Sequence, residues 1–495
     1  MLVPKPLLQS ILIPLIAAIV IAIIGKRVKE AAGWISCASL VYSTIMLILV
    51  GLKIWINPAP FYEEYVWSRL AKLKFGLLAD GLSLPVALIA DLICIVCAAY
   101  SIPYMKRRMK VIYGGDDWGL YRLYFALYTL FAVGFIGISL STNLIELYLF
   151  IELVLLPSYL LLDLFGYSDR HRVAIMCFIW SHIGAALFLI GVVLAYVKTG
   201  SFEVSTLSSL TGTYAFLVCF FILIGWLVKT AVFGFHVWAP WVYAEFPTCA
   251  APVVAITAGL GSYVMVRLLI QHMIETFKVF SIPLMVWAVI TMIYGAFLTL
   301  AQDDVKRLCS CSSISQNAYS LLGIASCAIL GVAGGIFYSI SHLIGKCILF
   351  SVAGILVHQT GLRDMKRMGG LASRMPLTAA LFVIGAMILS AIPPLSGFQA
   401  EWIMFVGILR QGFHGSTTGL LIALMGIFAT FLTLAYTFWP VKRIFFGPLP
   451  NELRNVERAP LTMTVPLLIL AIISIILGIY PDILMRFLNS ALSTL

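Results

Sequence analysis

Residues 226–240 read WLVKTAVFGFHVWAP. A run this apolar predicts a membrane-crossing helix, yet it holds Lys229, and Gly234 and Pro240 interrupt it. A charge at the bilayer centre costs about 2.5–3.5 kcal/mol on insertion scales. Lipid cannot satisfy the backbone groups that a break releases, so irregular backbone at membrane depth must be enclosed by protein or face water. The stretch therefore predicts a broken helix with an internal lysine, inside a larger membrane protein.

The rest of the chain fits that frame. Of 495 residues, 62% are hydrophobic and 11% charged, where soluble domains carry about 25% charged residues. The net charge of +11 is read as loop cations facing one side of the bilayer, not as a nucleic-acid surface. Cys94 and Cys97 form a CxxC inside an apolar run with no second pair, so no metal site is expected. The first apolar run, 7–24, is followed by the basic GKRVKE and suits a retained first helix.

Runs of about 20 apolar residues fall near 7–25, 32–51, 81–102, 121–140, 144–166, 173–196 and 215–240. They continue near 248–271, 279–301, 312–329, 332–357, 377–408, 418–440 and 460–481. The reading is an all-α polytopic membrane protein of about 14 transmembrane helices. Placing the N-terminus outside puts 20 of the 32 Lys and Arg in inside loops and nine outside, with Lys229, Arg267 and Lys346 within spans. Positive charge favours the cytoplasmic side, so both termini are expected outside, in a plasma (inner) membrane.

A second break, AIPPLSGF at 391–398, interrupts the span near 377–408. Interrupted helices at matching places in two halves point to inverted repeats around a midplane ion site. The expected division is 1–112 as three N-terminal helices, 113–275 and 276–447 as two inverted five-helix repeats each with a broken helix, and 448–495 as a C-terminal helix.

Five ionisable residues lie within the spans. Glu152 is in LFIELVLLPSY and Lys229 in the opening stretch. His342 and Lys346 are in YSISHLIGKCILF, four apart and so on one helix face, and Glu401 follows the second break in SGFQAEW. Each has a structural alternative. Glu152 and Lys229 could form a static ion pair, Lys346 could snorkel, His342 could hydrogen-bond a carbonyl, and Glu401 could serve freed backbone groups. Arg267 is read as an electrostatic neighbour or helix anchor. The functional reading is a proton relay of Glu152, Lys229, His342, Lys346 and Glu401, with His236 as a further candidate and His182 as structural. Taking a lysine or glutamate out of water disfavours its charged form, and a nearby opposite charge restores it. Moving Glu152 toward or away from Lys229 would then load or unload the lysine. No GxGxxG, P-loop or iron–sulfur spacing is present in the sequence, so no cofactor is expected on this chain.

Several segments together carry a family resemblance. ADGLSLP at 79–85, LFIELVLLPSY at 149–159, WLVKTAVFGFHVWAP, AQDDVKRLCSCSSIS at 301–315 and RDMKRMGGLASRMP at 363–376 resemble motifs of the antiporter-like membrane subunits of respiratory complex I. The nearest type is NADH-quinone oxidoreductase subunit M, chain 4 in mitochondria, and the resemblance spans roughly residues 75–447. It implies two inverted five-helix repeats, a key glutamate at Glu152 and a key lysine at Lys229. It also implies proton translocation driven by quinone reduction elsewhere, with quinone-site and other antiporter-like subunits as partners. Glu401 favours the subunit M branch, because sodium/proton antiporter relatives usually carry lysine there.

Four departures accompany the resemblance. The family's central lysine of helix 8 falls at Gly259; Trp241 and Tyr243 replace an Asp and a His; Gln316 stands where the family has His; and Lys346 is present where subunit M-like chains often lack lysine. Lys346 is a candidate substitute for the missing helix 8 lysine. The departures suit a divergent prokaryotic complex, archaeal ones included, with NADH, ferredoxin or a reduced deazaflavin as donor. The alternatives are a subunit of a multisubunit cation/proton antiporter, a subunit of a membrane-bound hydrogenase, or an inert scaffold.

Overall fold

Asp117, Asn143 and Asp304 each sit at the start of an apolar run and accept hydrogen bonds from the two free backbone N–H groups just beyond. For Asp304 these are Lys306 N at 2.8 Å and Arg307 N at 3.0 Å. Such caps satisfy donors that a helix start leaves open. In the computed structural model, residues 3–70, 73–415 and 417–493 are described, the side chains of 411–415 and 417 excepted. The helices are α1 (Pro6–Val28), α2 (Ala31–Ile56), α3 (Ser83–Tyr113), α4 (Trp118–Leu140), α5 (Leu144–Phe165), α6 (Arg170–Thr199) and α7 (Gly212–Thr230). They continue as α8 (Ala239–Glu245), α9 (Ala251–Val264), α10 (Gln271–Leu300), α11 (Val305–Ala325), α12 (Ile329–Thr360), α13 (Pro376–Leu389), α14 (Ser396–Gly415), α15 (Thr417–Phe445), α16 (Leu461–Ile479) and α17 (Asp482–Leu492).

Among the described residues, 11 helical stretches are long and apolar enough to cross a membrane. The chain is a multi-pass membrane protein. Its centre is formed by α4, α9, α11 and α12, whose spans are buried nearly all round, while α1, α6, α15 and α16 turn broad apolar faces outward. Helices that touch lipid on one side and protein on the other need a closely fitting inner face. Gly184 of α6 and Gly225 of α7 supply one: a Cβ on either would lie under 3 Å from the other's carbonyl oxygen.

Three features refine the sequence reading. The helical membrane class holds, with one hairpin added: Phe61–Ser68 (β1) pairs antiparallel with Leu73–Ala79 (β2), in register Phe61 to Ala79 and Tyr65 to Phe75. The hairpin has a structural job, since the Glu63 carboxylate accepts Leu7 N at 2.9 Å and Leu8 N at 3.0 Å and so caps α1. Second, the boundary expected between 271 and 279 is a kink without a loop, where two helices meet at Met273. α9 runs through a wide turn at Met265–Ile270 into α10, and Met273 alone departs from helical geometry. Third, the membrane-crossing helix expected near 460–481 is α16, and the amphipathic α17 follows it, with Leu484, Met485, Leu488 and Leu492 buried.

Candidate functional site

Both expected breaks are present, and each is closed by protein. α7 stops at Thr230, and Ala231 takes a left-handed conformation (φ 59°). Val232 N then turns back to Leu227 O at 3.4 Å. The groups released are met by side chains: Trp238 Nε1 donates to Val228 O at 3.1 Å, Asn317 Nδ2 to Thr230 O at 3.3 Å, Trp287 Nε1 to Phe233 O at 2.9 Å, and Phe233 N to Thr291 Oγ1 at 3.1 Å. α13 stops at Leu389 in the same manner. Ala391 is left-handed (φ 51°), Ile392 N turns back to Met387 O at 3.0 Å, and Gln316 Nε2 donates to Leu389 O at 3.4 Å. The neighbouring amides Gln316 and Asn317 of α11 thus each clasp one break.

Lys229 sits in the last turn of α7, buried, with its stem close to Gly184 of α6. Its ammonium has no hydrogen-bond or ion-pair partner among the described residues. The structure does not show the alternative of a static Glu152–Lys229 ion pair: Glu152 lies near enough for its charge to act on the ammonium, but its own close neighbour is His182 Nδ1, 3.5 Å from Oε1. Glu152 and His182 side chains are 26% and 52% exposed, so this pair opens onto the outer face of α5 and α6 while Lys229 points inward. His236, at the first break, is partly exposed; its Nε2 is 3.1 Å from Tyr294 Oη and its Nδ1 accepts Gly234 N at 3.2 Å.

The ionisable groups of the second half are buried and better bonded. Lys346 is fully buried, and its ammonium donates to Cys309 O at 2.9 Å and to Ser312 Oγ, with no carboxylate in contact. It does not snorkel. His342 is one turn away and buried, with Nε2 unpartnered among the described residues. Glu401 accepts Thr430 Oγ1 at 2.6 Å on Oε1, while Oε2 is buried without a partner. It does not serve the freed backbone groups of its break. A cavity of about 590 Å³ lies beside it, lined by Ser390, Phe398, Trp402 and Phe431 among others. At Gly259 a Cβ would lie 3.0 Å from Leu343, and Ser339 Oγ donates to the Gly259 carbonyl. α12 therefore packs directly where a longer side chain would need room.

Four buried ionisable groups escaped the sequence reading. Asp91 of α3 is wholly buried, bound to Thr44 Oγ1 at 2.8 Å through Oδ2, with Oδ1 unpartnered. Glu146 accepts Gly76 N at 3.1 Å. Lys306, counted among the loop cations, is fully buried; it donates to Phe246 O at 2.8 Å and lies 3.9 Å over the Tyr167 ring. Glu245 is joined through Arg363 (3.2 Å) to Asp304 (2.7 Å). Arg267 behaves as the helix anchor expected of it, with Nη2 2.7 Å from Asp80 Oδ1.

With buried cations and acids at two equivalent helix breaks, comparison with known proteins becomes specific. Residues 141–433 match the family described as NADH:quinone oxidoreductase/Mrp antiporter, TM. The chain belongs to that family. Among curated relatives, it is 26% identical over 500 residues to NADH-quinone oxidoreductase subunit M of Rickettsia prowazekii, covering 98% of this chain and 97% of that one. It is 28% identical over 503 residues to NAD(P)H-quinone oxidoreductase chain 4 1 of Nostoc sp., covering 98% and 90%. Among solved structures, a chain of the Mrp complex from Dietzia sp. superposes with a TM-score of 0.87 at 20% identity, covering 99% of this chain and 96% of that one. A chain of respiratory complex I from Thermus thermophilus gives 0.86 at 21% identity, with 99% and 98% covered. A chain of the membrane-bound sulfane sulfur reductase, an archaeal respiratory membrane complex, gives 0.86 at 25% identity, with 98% and 78% covered.

Proposed function

We propose that this chain is the non-redox, proton-translocating subunit of a complex I-like oxidoreductase. It works beside other antiporter-like and quinone-site subunits in a prokaryotic plasma membrane, with both termini outside. Protons move through Glu152, Lys229, His342, Lys346 and Glu401, with His236 as a possible side branch, and the energy comes from quinone reduction in another subunit. The division into two inverted five-helix repeats, 113–275 and 276–447, belongs to this reading. It is supported by the matching closure of the breaks at Ala231 and Ala391.

The observation that carries the proposal is Lys229. A buried ammonium without a bonded partner, one residue before a helix break, is costly as a static element, whereas a proton carrier needs such a site. The scale fits: one proton moved against 100 mV requires about 2.3 kcal/mol, comparable with under two pKa units at about 1.36 kcal/mol each. Rearranging one nearby carboxylate, such as Glu152, is enough. The test is the purified assembly in liposomes, with a pH-sensitive dye and quinone reduction followed separately. Lys229→Ala is expected to lose proton uptake at least tenfold; uptake at the unaltered rate would leave the chain a scaffold and overturn the proposal.

The likeness to the Mrp chain favours a second reading, a subunit of a cation/proton antiporter. In that case a sodium gradient alone, without electron donor, drives proton movement in the same liposomes.

A further inference from the structure

Between Lys346 and Glu401 the interior is lined by hydroxyls and one amide. Tyr338, His342 and Lys346 follow one another at four-residue steps along α12 and share a face, which meets Ser312 and Gln316 of α11. Tyr338 Oη donates to Gln316 Oε1 at 2.8 Å, and Gln316 Nε2 donates to Tyr436 Oη of α15 at 2.7 Å. Thr433 lies one turn back on α15, beside Tyr436, with its Oγ1 2.9 Å from Tyr319 Oη. Tyr319 also lies beside Thr430, which donates to Glu401 Oε1 at 2.6 Å. The tyrosines and Gln316 are wholly enclosed. Buried polar groups cost several kcal/mol unless bonded, and an apolar interior would need none of them. The two unpartnered atoms of this region, His342 Nε2 and Glu401 Oε2, stand at either end of the chain.

We propose that Tyr338, Gln316, Tyr436, Thr433, Tyr319 and Thr430 form the last proton-conducting segment, from His342 to Glu401, with Gln316 as its slowest link. The inference rests on the proton-translocating reading above. The bonds with an assigned donor, at Tyr338, Gln316 and Thr430, all point toward the carboxylate. A proton arriving at Tyr338 moves on as each hydroxyl releases the hydrogen it holds and takes the one behind it. One proton reaches the Glu401 carboxylate and one has left His342; every O–H is reversed until it rotates back, and Gln316 is left as its imidic acid until a proton returns from Oε1 to Nε2. Gln316 differs from the hydroxyls because an amide passes a proton only through its imidic tautomer. It holds the two phenols in place and limits the rate. Its bond to Leu389 O ties that link to the second helix break.

The experiment measures proton uptake and quinone reduction in the reconstituted assembly for Tyr436→Phe, Gln316→Leu and Gln316→His, beside Lys229→Ala. Tyr100→Phe is the control, since it removes a phenol hydroxyl equally buried but bonded to Ser351 O outside the chain. Tyr436→Phe and Gln316→Leu are expected to lower uptake at least tenfold with the assembly intact. Gln316→His, which replaces the amide with a titratable ring, is expected to retain it, and Tyr100→Phe to leave it unchanged. A merely structural role for Gln316 would give equal loss in Leu and His variants and would overturn the inference. So would normal uptake in Tyr436→Phe while Lys229→Ala is inactive; normal uptake in Lys229→Ala instead overturns the underlying reading. Should Tyr436→Phe fail to assemble, Thr430→Val at the carboxylate end makes the same test.

Discussion

The two broken helices are built alike and equipped differently. At both, an alanine turns left-handed, an amide proton reaches back to the last full turn, and an α11 side chain, Asn317 or Gln316, takes up a free carbonyl. Backbone closure is thus the shared requirement, as expected where no water or lipid can supply it. The ionisable groups differ. Beside the first break stands a cation with no bonded partner, Lys229, and beyond it Glu152 and His182, both partly open to the outside. Beside the second stands an acid, Glu401, held by a threonine at the end of an enclosed hydroxyl chain. On the proposed reading, the first half receives a charge from a neighbour and the second passes a proton to a fixed acceptor.

That contrast can be broken in steps. The largest effect is expected from Lys346→Met, since Lys346 is fully buried in α12 and its ammonium donates to neutral groups, Cys309 O and Ser312 Oγ, among the described residues. Proton uptake should be abolished, and normal pumping in the dye assay would mean that Lys346 does not stand in for a lysine at position 259. Glu152→Gln should be milder, a severalfold loss of uptake, because His182 remains beside the position. Equal losses in the two variants would remove the asymmetry between halves. Asn317→Ala strips the clasp from the first break and leaves the Thr230 carbonyl unpaired, a cost of about 1–3 kcal/mol. A lowered unfolding midpoint in detergent is expected, with an unchanged midpoint contradicting the closure argument.

The smallest effect concerns the loop joining α10 to α11. There Asp303 meets Lys366 at 2.5 Å and Arg443 at 3.0 Å, and the hydrogen bond and charge of Lys366, with Arg443 adding, hold its carboxyl below the usual range. A carboxyl depressed in the folded state stabilises above its unfolded pKa, about 3.9, and loses that contribution as pH falls through the folded value. Asp303→Asn should therefore lower the midpoint slightly at neutral pH and not at all in strong acid. A difference that persists in acid would contradict the assignment.

What the sequence made legible follows from what interrupts an apolar run. Gly234 with Pro240, and the two prolines of AIPPLSGF, announce both breaks, and Lys229, Lys346 and Glu401 stand out because their nearby sequence carries no other formal charge. Lys306 was hidden by company: beside two aspartates and an arginine it reads as a loop cation, yet Asp304 caps α11 and starts the helix early enough to carry the lysine inside. The His182 contact of Glu152 was not legible because pairing across helices leaves no spacing to detect, and His182 lies 30 positions away. Asp91 had the same difficulty, its partner Thr44 being on another helix. The hairpin was missed because FYEEYVWS and LKFGLLA lie between strong apolar runs and bury only one face. The hydroxyl chain to Glu401 was invisible because tyrosine and threonine do not disturb an apolar run.

The most direct test is infrared difference spectroscopy of the reconstituted assembly, resting against turning over, in the protonated-carboxyl stretching region. A band that changes on turnover, shifts in heavy water and disappears in Glu401→Gln is predicted. Identical resting and turnover spectra, or a change that survives Glu401→Gln undiminished, would contradict the claim that protons pass through the buried side chains at the breaks.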